Sequence, residues 1–273
     1  MRIAVIQLAY GDGDTETVDE RVARVTELVR THGAGHDLVL LPELWTAGCF
    51  AVDDWEDRAL TIPEDGVPEA LLPLAEVTRE IGAVLHTGSV VERSEEAGPE
   101  GRHLWNTSIV LGPDGMRLAT YRKIHRFGFG QGEPKHMEAG TELVVTDLPA
   151  PADALTAGLS TCYDLRFPEL YRAQLDQGAE LFVVPAAWPA ARVEAWRLLL
   201  RARAVENQCF VVACNTAGTH AGQQMGGYSV VLDPAGTVLA EAGTEEQVLS
   251  VELDPGEVAR MRERFPVLAD RRL

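Results

Sequence analysis

Cys162 sits in the run Thr161-Cys162-Tyr163-Asp164-Leu165-Arg166-Phe167-Pro168, between an apolar strand-like segment, 154–159, and a helix-like segment, 168–177. A cysteine at a strand-to-helix turn exposes its sulfur and aims backbone N–H groups at whatever the sulfur attacks. The expectation is a stabilised thiolate, the nucleophilic form of the side chain. Two further residues have the types such a nucleophile needs. Glu43 follows the apolar run 38–41 and Pro42, and Lys123 lies in Tyr121-Arg122-Lys123-Ile124-His125, directly after the second strand of a hairpin. Lys123 alternates with Arg122, so one of the two points inward. A cysteine attacking an amide must lose a proton, and the departing ammonia must gain one; a single carboxylate, Glu43, can serve both steps. The oxyanion needs donors where its charge develops, and the Lys123 ammonium and the Tyr163 backbone N–H are the candidates. Water then attacks the thioester with Glu43 as base.

These residues must be brought together by the elements around them. Strand-like and helix-like patterns alternate along the chain, which argues for an α/β fold. The strand 3–8 is followed by a helix striped with Val18, Val22, Val25, Leu28 and Val29; a second helix carries Leu71, Leu74, Val77 and Ile81 and leads to a strand over 83–91. The polar stretch 92–101 reads as a surface loop. An internal repeat then emerges. Leu38-Val39-Leu40-Leu41-Pro42-Glu43-Leu44-Trp45 resembles Leu181-Phe182-Val183-Val184-Pro185-Ala186-Ala187-Trp188, a buried strand stopped by proline with a tryptophan three residues on. The hairpin 108–119 resembles the hairpin 229–240, each turning on a Pro-x-Gly corner. Two like halves, each a sheet covered by helices on one side, give a four-layer αββα sandwich built as a single domain over 1–273. Ligands in such sheets sit beyond the carboxyl ends of strands, which places Glu43 and Cys162 at one end.

Composition bounds the partners. The 273 residues carry a formal charge of −18 with no basic stripe, which argues against nucleic acid and anionic membranes. No apolar stretch reaches a membrane span, and the first eight residues hold too short an apolar run for a signal peptide. The four cysteines (Cys49, Cys162, Cys209, Cys214) form no C-x-x-C pair, so the expected setting is a reducing cytoplasm. Cys209 and Cys214 read as core.

The motifs Leu41-Pro42-Glu43, Tyr121-Arg122-Lys123-Ile124-His125 and Cys162-Tyr163-Asp164-Leu165-Arg166-Phe167-Pro168, with the weaker Arg201-Ala202-Arg203-Ala204-Val205-Glu206-Asn207, resemble the nitrilase superfamily, the carbon–nitrogen hydrolases. The resemblance covers nearly the whole chain. It implies the αββα fold and a Glu-Lys-Cys triad without metal or organic cofactor, with Glu43 as base, Lys123 as oxyanion donor and Cys162 as nucleophile. It also implies a second glutamate shortly before a glycine that opens the next strand. Glu133 and Glu138, ahead of Gly140, are the candidates, and Glu133 is preferred because Glu138 lies only two residues from that glycine. Trp188-Pro189-Ala190-Ala191-Arg192 resembles a segment of omega-amidases, which deamidate short dicarboxylic monoamides such as 2-oxoglutaramate. Trp188 and Arg192 are then the substrate-binding candidates, with Arg192 clamping the far carboxylate. Asp164 and Arg166 are expected to pair and hold the nucleophile turn. The family further implies a homo-oligomer with a dimer as its unit, paired through 167–177 and 193–206. The expected activity is hydrolysis of a small aliphatic amide; the alternatives are a nitrilase, an N-carbamoyl amide hydrolase, and a non-catalytic binding protein on the same fold.

Overall fold

Alternation inside the strands sets the layers. The computed structural model describes residues 1–11, 15–150 and 154–272. In strand Arg2–Gln7, Ile3 and Val5 face one buried cluster while Ala4 and Ile6 face another; in Leu38–Leu40 and the residue after it, Leu38 and Leu40 join the first cluster and Val39 and Leu41 the second. The same division recurs in Leu181–Pro185, where Leu181 and Val183 point to the shared cluster and Phe182 and Val184 away from it. The shared cluster is the seam between two sheets. The other two lie beneath helices: Val18–Gly33 and Leu72–Ile81 on the first sheet, Pro168–Asp176 and Val193–Asn207 on the second. The order is αββα.

The repeat is present in strand order and direction. The first sheet runs Gln247–Glu252, Arg2–Gln7, Leu38–Leu40, Val84–Arg93, Leu104–Leu111, Arg117–Arg122, with the short Leu60–Thr61 also on Val84–Arg93. The second runs Val145–Leu148, Leu155–Leu159, Leu181–Pro185, Phe210–Cys214, Val230–Leu232, Val238–Glu241. Each is an antiparallel edge strand, three parallel strands, and a hairpin. The edge strand of each sheet comes from the end of the other half, so the two halves are laced together rather than merely stacked.

One expectation changes. Strand Val84–Arg93 runs on through Glu92, which is buried and ion-paired with Arg122, so the surface loop starts two residues later. In helix Val193–Asn207, Trp196 and Leu200 are buried on the sheet, whereas Leu198 and Val205 are 69% and 51% exposed. Among the described residues no helix is long and apolar enough to cross a membrane.

Candidate active site

The two strand–proline turns meet. Pro42 ends the first strand's path, and Glu43 N–H donates to the Ala186 carbonyl, which occupies the equivalent position after Pro185. In return Ala187 N–H donates to Glu43 Oε2 at 2.9 Å. The Glu43 turn is held from below by Gly88, in the left-handed region at φ +71°; a Cβ there would lie 1.8 Å from the Pro42 carbonyl oxygen, so only glycine permits the approach.

Lys123 follows strand Arg117–Arg122 and is the inward member of its pair; Arg122 points outward to Glu92. The Lys123 ammonium donates to Glu43 Oε1 at 2.7 Å and to both oxygens of Glu133, at 3.0 and 2.8 Å. Glu133 opens the short helix Glu133–His136. Glu138 is elsewhere: it accepts from the backbone N–H groups of Glu100 and Arg102 and ties down a surface loop. Asn106, in strand Leu104–Leu111, donates to Glu43 Oε1 at 2.8 Å and Glu133 Oε1 at 2.6 Å.

Cys162 opens the 3₁₀ turn Cys162–Arg166 after strand Leu155–Leu159, at φ +48°. A non-glycine residue held in that region stores strain that its surroundings must over-determine. Asp164 does so. Its carboxylate accepts from Thr161 N–H (2.9 Å), Tyr121 Oη (2.6 Å), His125 N–H (2.9 Å) and His125 Nδ1 (2.8 Å). From the far side Arg203 donates to the Leu165 carbonyl at 2.7 Å. The expected Asp164–Arg166 pair does not form. Asp164 turns inward to Tyr121 and His125, while the Arg166 guanidinium lies 4.9 Å above the Trp188 ring. Adjacent positions in a tight turn point in different directions, and Asp164 finds enough donors without an arginine.

The electrostatics also correct one expectation. Burial pushes the Cys162 thiol well above its ordinary value, and the neighbouring Glu43 carboxylate, which accepts its hydrogen bond, adds to the rise; Lys123 opposes it. Burial and Glu43 thus work against the thiolate that the turn's N–H groups would favour. Burial alone would lower the Lys123 ammonium, but Glu133 and Glu43 outweigh it and hold Lys123 well above the usual lysine value. Glu133 is raised by burial and by Glu43, against the pull of Lys123.

These groups open on a cleft of ≈ 720 Å³, counting its mouth. Glu43, Lys123, Glu133, Cys162 and Tyr163 line its floor with Trp188. Arg192 is exposed, with its guanidinium 5.3 Å from the Phe127 ring centre. The Trp188 indole N–H donates to the Arg192 carbonyl at 2.8 Å. The sequence reading missed three members. Arg166 was absorbed into the expected pair with Asp164, Asn106 looked like any mid-strand polar residue, and Cys49 carried no motif, yet it lines the cleft. Among the described residues neither Arg166 nor Arg192 has a carboxylate partner, and no His/Cys/Asp/Glu group is arranged to hold a metal ion.

A family profile described as carbon-nitrogen hydrolase matches residues 2–263. A 2-oxoglutaramate amidase of Paenarthrobacter nicotinovorans is 43% identical over 272 residues, 99% of this chain and 89% of the relative. Omega-amidase NIT2 of Homo sapiens is 34% identical over 279 residues, 99% of this chain and 95% of the relative. Among solved structures, Saccharomyces cerevisiae Nit3, of branch 10 of the nitrilase superfamily, matches with a TM-score of 0.84 at 26% identity, covering 100% of this chain and 97% of that one. XC1258 of Xanthomonas campestris, a CN-hydrolase superfamily protein with an arsenic adduct in its active site, matches with a TM-score of 0.83 at 29% identity, covering 100% and 97%.

Proposed function

The chain belongs to the carbon–nitrogen hydrolase family and is an amidase, and we propose that it cleaves the amide of a short acid whose far end is a carboxylate, through a thioester on Cys162. Glu43 takes the thiol proton as sulfur attacks the amide carbon, since the resting thiol sits beside that carboxylate. Lys123 gives up one of its two bonds to Glu133 and turns it to the oxyanion, alongside the Tyr163 backbone N–H. Glu43 hands its proton to the leaving nitrogen; the C–N bond breaks, ammonia departs and the thioester remains. Glu43 then takes a proton from water, whose oxygen attacks the thioester carbon, and returns it to sulfur as the acid leaves.

The observation that carries the substrate class is the pair of guanidiniums in the cleft. Arg166 is half-buried over Trp188 and Arg192 stands at the rim over Phe127. Ring stacking fixes each guanidinium plane and leaves its N–H edge for a ligand, which suits a carboxylate. A protein of net charge −18 repels anions as a whole, so an anionic substrate needs such a local clamp. The apolar side chains of Phe50, Val52 and Trp55 line the same cleft and suit a short methylene chain. The relatives named 2-oxoglutaramate amidase and omega-amidase support the same class.

A charge-assisted hydrogen bond is worth about 1.5–3 kcal/mol, so Arg166→Met or Arg192→Met should raise KM for 2-oxoglutaramate or succinamate about 10- to 100-fold. Butyramide, which has no far carboxylate, should be nearly unaffected. Equal effects on both classes, or a wild type that prefers neutral amides, nitriles or N-carbamoyl compounds, would reject the dicarboxylic assignment.

A further inference from the structure

Asn106 is 2% exposed, and its side chain does something unusual for a mid-strand residue. The one nitrogen, Nδ2, donates to two carboxylates, Glu43 and Glu133, giving each one of its two hydrogens. The other end, Oδ1, is buried with no hydrogen-bond partner among the described residues. An orphaned buried carbonyl opposes folding. The reversed amide would do worse, because it would aim that carbonyl at both carboxylates. The orientation is thus fixed by repulsion, and the orphaned oxygen marks a position chosen for the site rather than for stability. The backbone of the same residue also accepts Lys123 N–H at 2.8 Å.

The two oxygens of Glu43 are unequal. Oε1 accepts from both Lys123 and Asn106. Oε2 accepts from Ala187 N–H and faces no ammonium or amide side chain among the described residues. A carboxylate oxygen has two lone pairs in its plane, so Oε1 is filled and the second lone pair of Oε2 is left to the Cys162 thiol. We propose that Asn106 is a positioning residue that occupies Oε1 of Glu43, so that Oε2 is the oxygen that carries the proton between the Cys162 sulfur, the leaving nitrogen and water. The same contact keeps Glu133 in line with Lys123. The inference rests on the reading of Glu43 as proton carrier and not on the choice of amide. The titratable groups around Asn106's two partners are Glu43, Glu133, Lys123, Cys162 and Cys49.

The test uses Asn106→Leu, which keeps bulk and removes the donor, and Asn106→Asp, which keeps shape and adds a third carboxylate. Two readouts are taken on the full chain: steady-state amide hydrolysis against pH, and the rate of Cys162 alkylation by iodoacetamide against pH. A hydrogen bond to a carboxylate favours its charged form, so in Asn106→Leu, which removes one, the acid limb of both profiles should move to higher pH. The kcat should fall about tenfold or more with KM unchanged within about twofold, since a misplaced proton carrier costs turnover rather than binding. Asn106→Asp should be worse than Asn106→Leu. A space-filling role predicts the reverse ranking, with the same-shaped Asp tolerated and both limbs unmoved, and that result overturns the proposal. So does failure of both variants to fold, which would make Asn106 a scaffold residue. A wild type that hydrolyses none of the amides, with the alkylation limb still shifted in Asn106→Leu, would sink the substrate reading and leave this one standing.

Discussion

Glu133→Gln changes one heavy atom and should remove most of the turnover. Both oxygens of Glu133 are doubly occupied: Oε1 accepts from Lys123 Nζ at 3.0 Å and Asn106 Nδ2 at 2.6 Å, and Oε2 from Lys123 Nζ at 2.8 Å and Phe127 N–H at 2.5 Å. An amide puts an NH₂ on one of these sites, and either choice sets it against two donors. At least two charge-assisted hydrogen bonds are lost, at about 1.5–3 kcal/mol each. The total, about 3–6 kcal/mol, is shared between fold stability and the geometry of Lys123. Were it all expressed in stability, the melting temperature would fall by roughly 6–24 °C for a chain of this size. Lys123, left with Glu43 and one uncharged amide oxygen, is drawn off the position an oxyanion needs, and kcat should fall by about 10²–10³. Ammonia release and a thermal melt on the same preparation read both parts. A variant that keeps wild-type kcat and melts with the wild type would show that Glu133 does not orient Lys123. A dead Glu138→Gln beside an active Glu133→Gln would refute the choice between them.

Acid should weaken the fold through His86, buried with Nδ1 accepting Gly88 N–H at 3.2 Å and its pKa lowered by burial to about 3. The unfolded ring takes up a proton first, so stability is full above about pH 6.5 and drains as pH falls toward 3, by up to about 5 kcal/mol. Urea unfolding of His86→Leu should show a flatter acid slope than wild type; parallel slopes would contradict the assignment. Gly88→Ala forces a Cβ to 1.8 Å from the Pro42 carbonyl oxygen at φ +71°, which should cost about 1–3 kcal/mol and displace Glu43. Its kcat should drop far more than its KM rises, and wild-type kinetics would show that the Glu43 turn tolerates movement.

Much of this was legible because strong local signals coincide with the architecture. A buried strand stopped by proline reads as such in one dimension, and its recurrence at Pro42 and Pro185 foreshadowed the meeting of Glu43 with Ala186 and Ala187. Glu133 could be separated from Glu138 only weakly. Which carboxylate reaches Lys123 depends on the path of the loop between Phe127 and Glu133, where Gly128, Phe129, Gly130 and Gly132 all have positive φ. The sequence reading weighed only the turn's N–H groups on Cys162, because these are visible in the local pattern, whereas burial and a neighbouring carboxylate, which push the thiol up, are properties of the packed site. Arg166 and Asn106 were missed for a related reason: each sits where any strand or turn could carry a polar residue, and only the third dimension shows what it faces.

The central claim is that Cys162 carries the acyl group. Rapid-quench mass spectrometry during turnover of 2-oxoglutaramate should find the peptide bearing Cys162 heavier by the substrate less ammonia, less nothing else, rising before steady state and decaying no slower than kcat. Cys162→Ala, folded because Asp164 holds the turn through four bonds that do not involve sulfur, should release no ammonia and show no adduct. An adduct on another residue, or ammonia released by Cys162→Ala at the wild-type rate, would contradict the account.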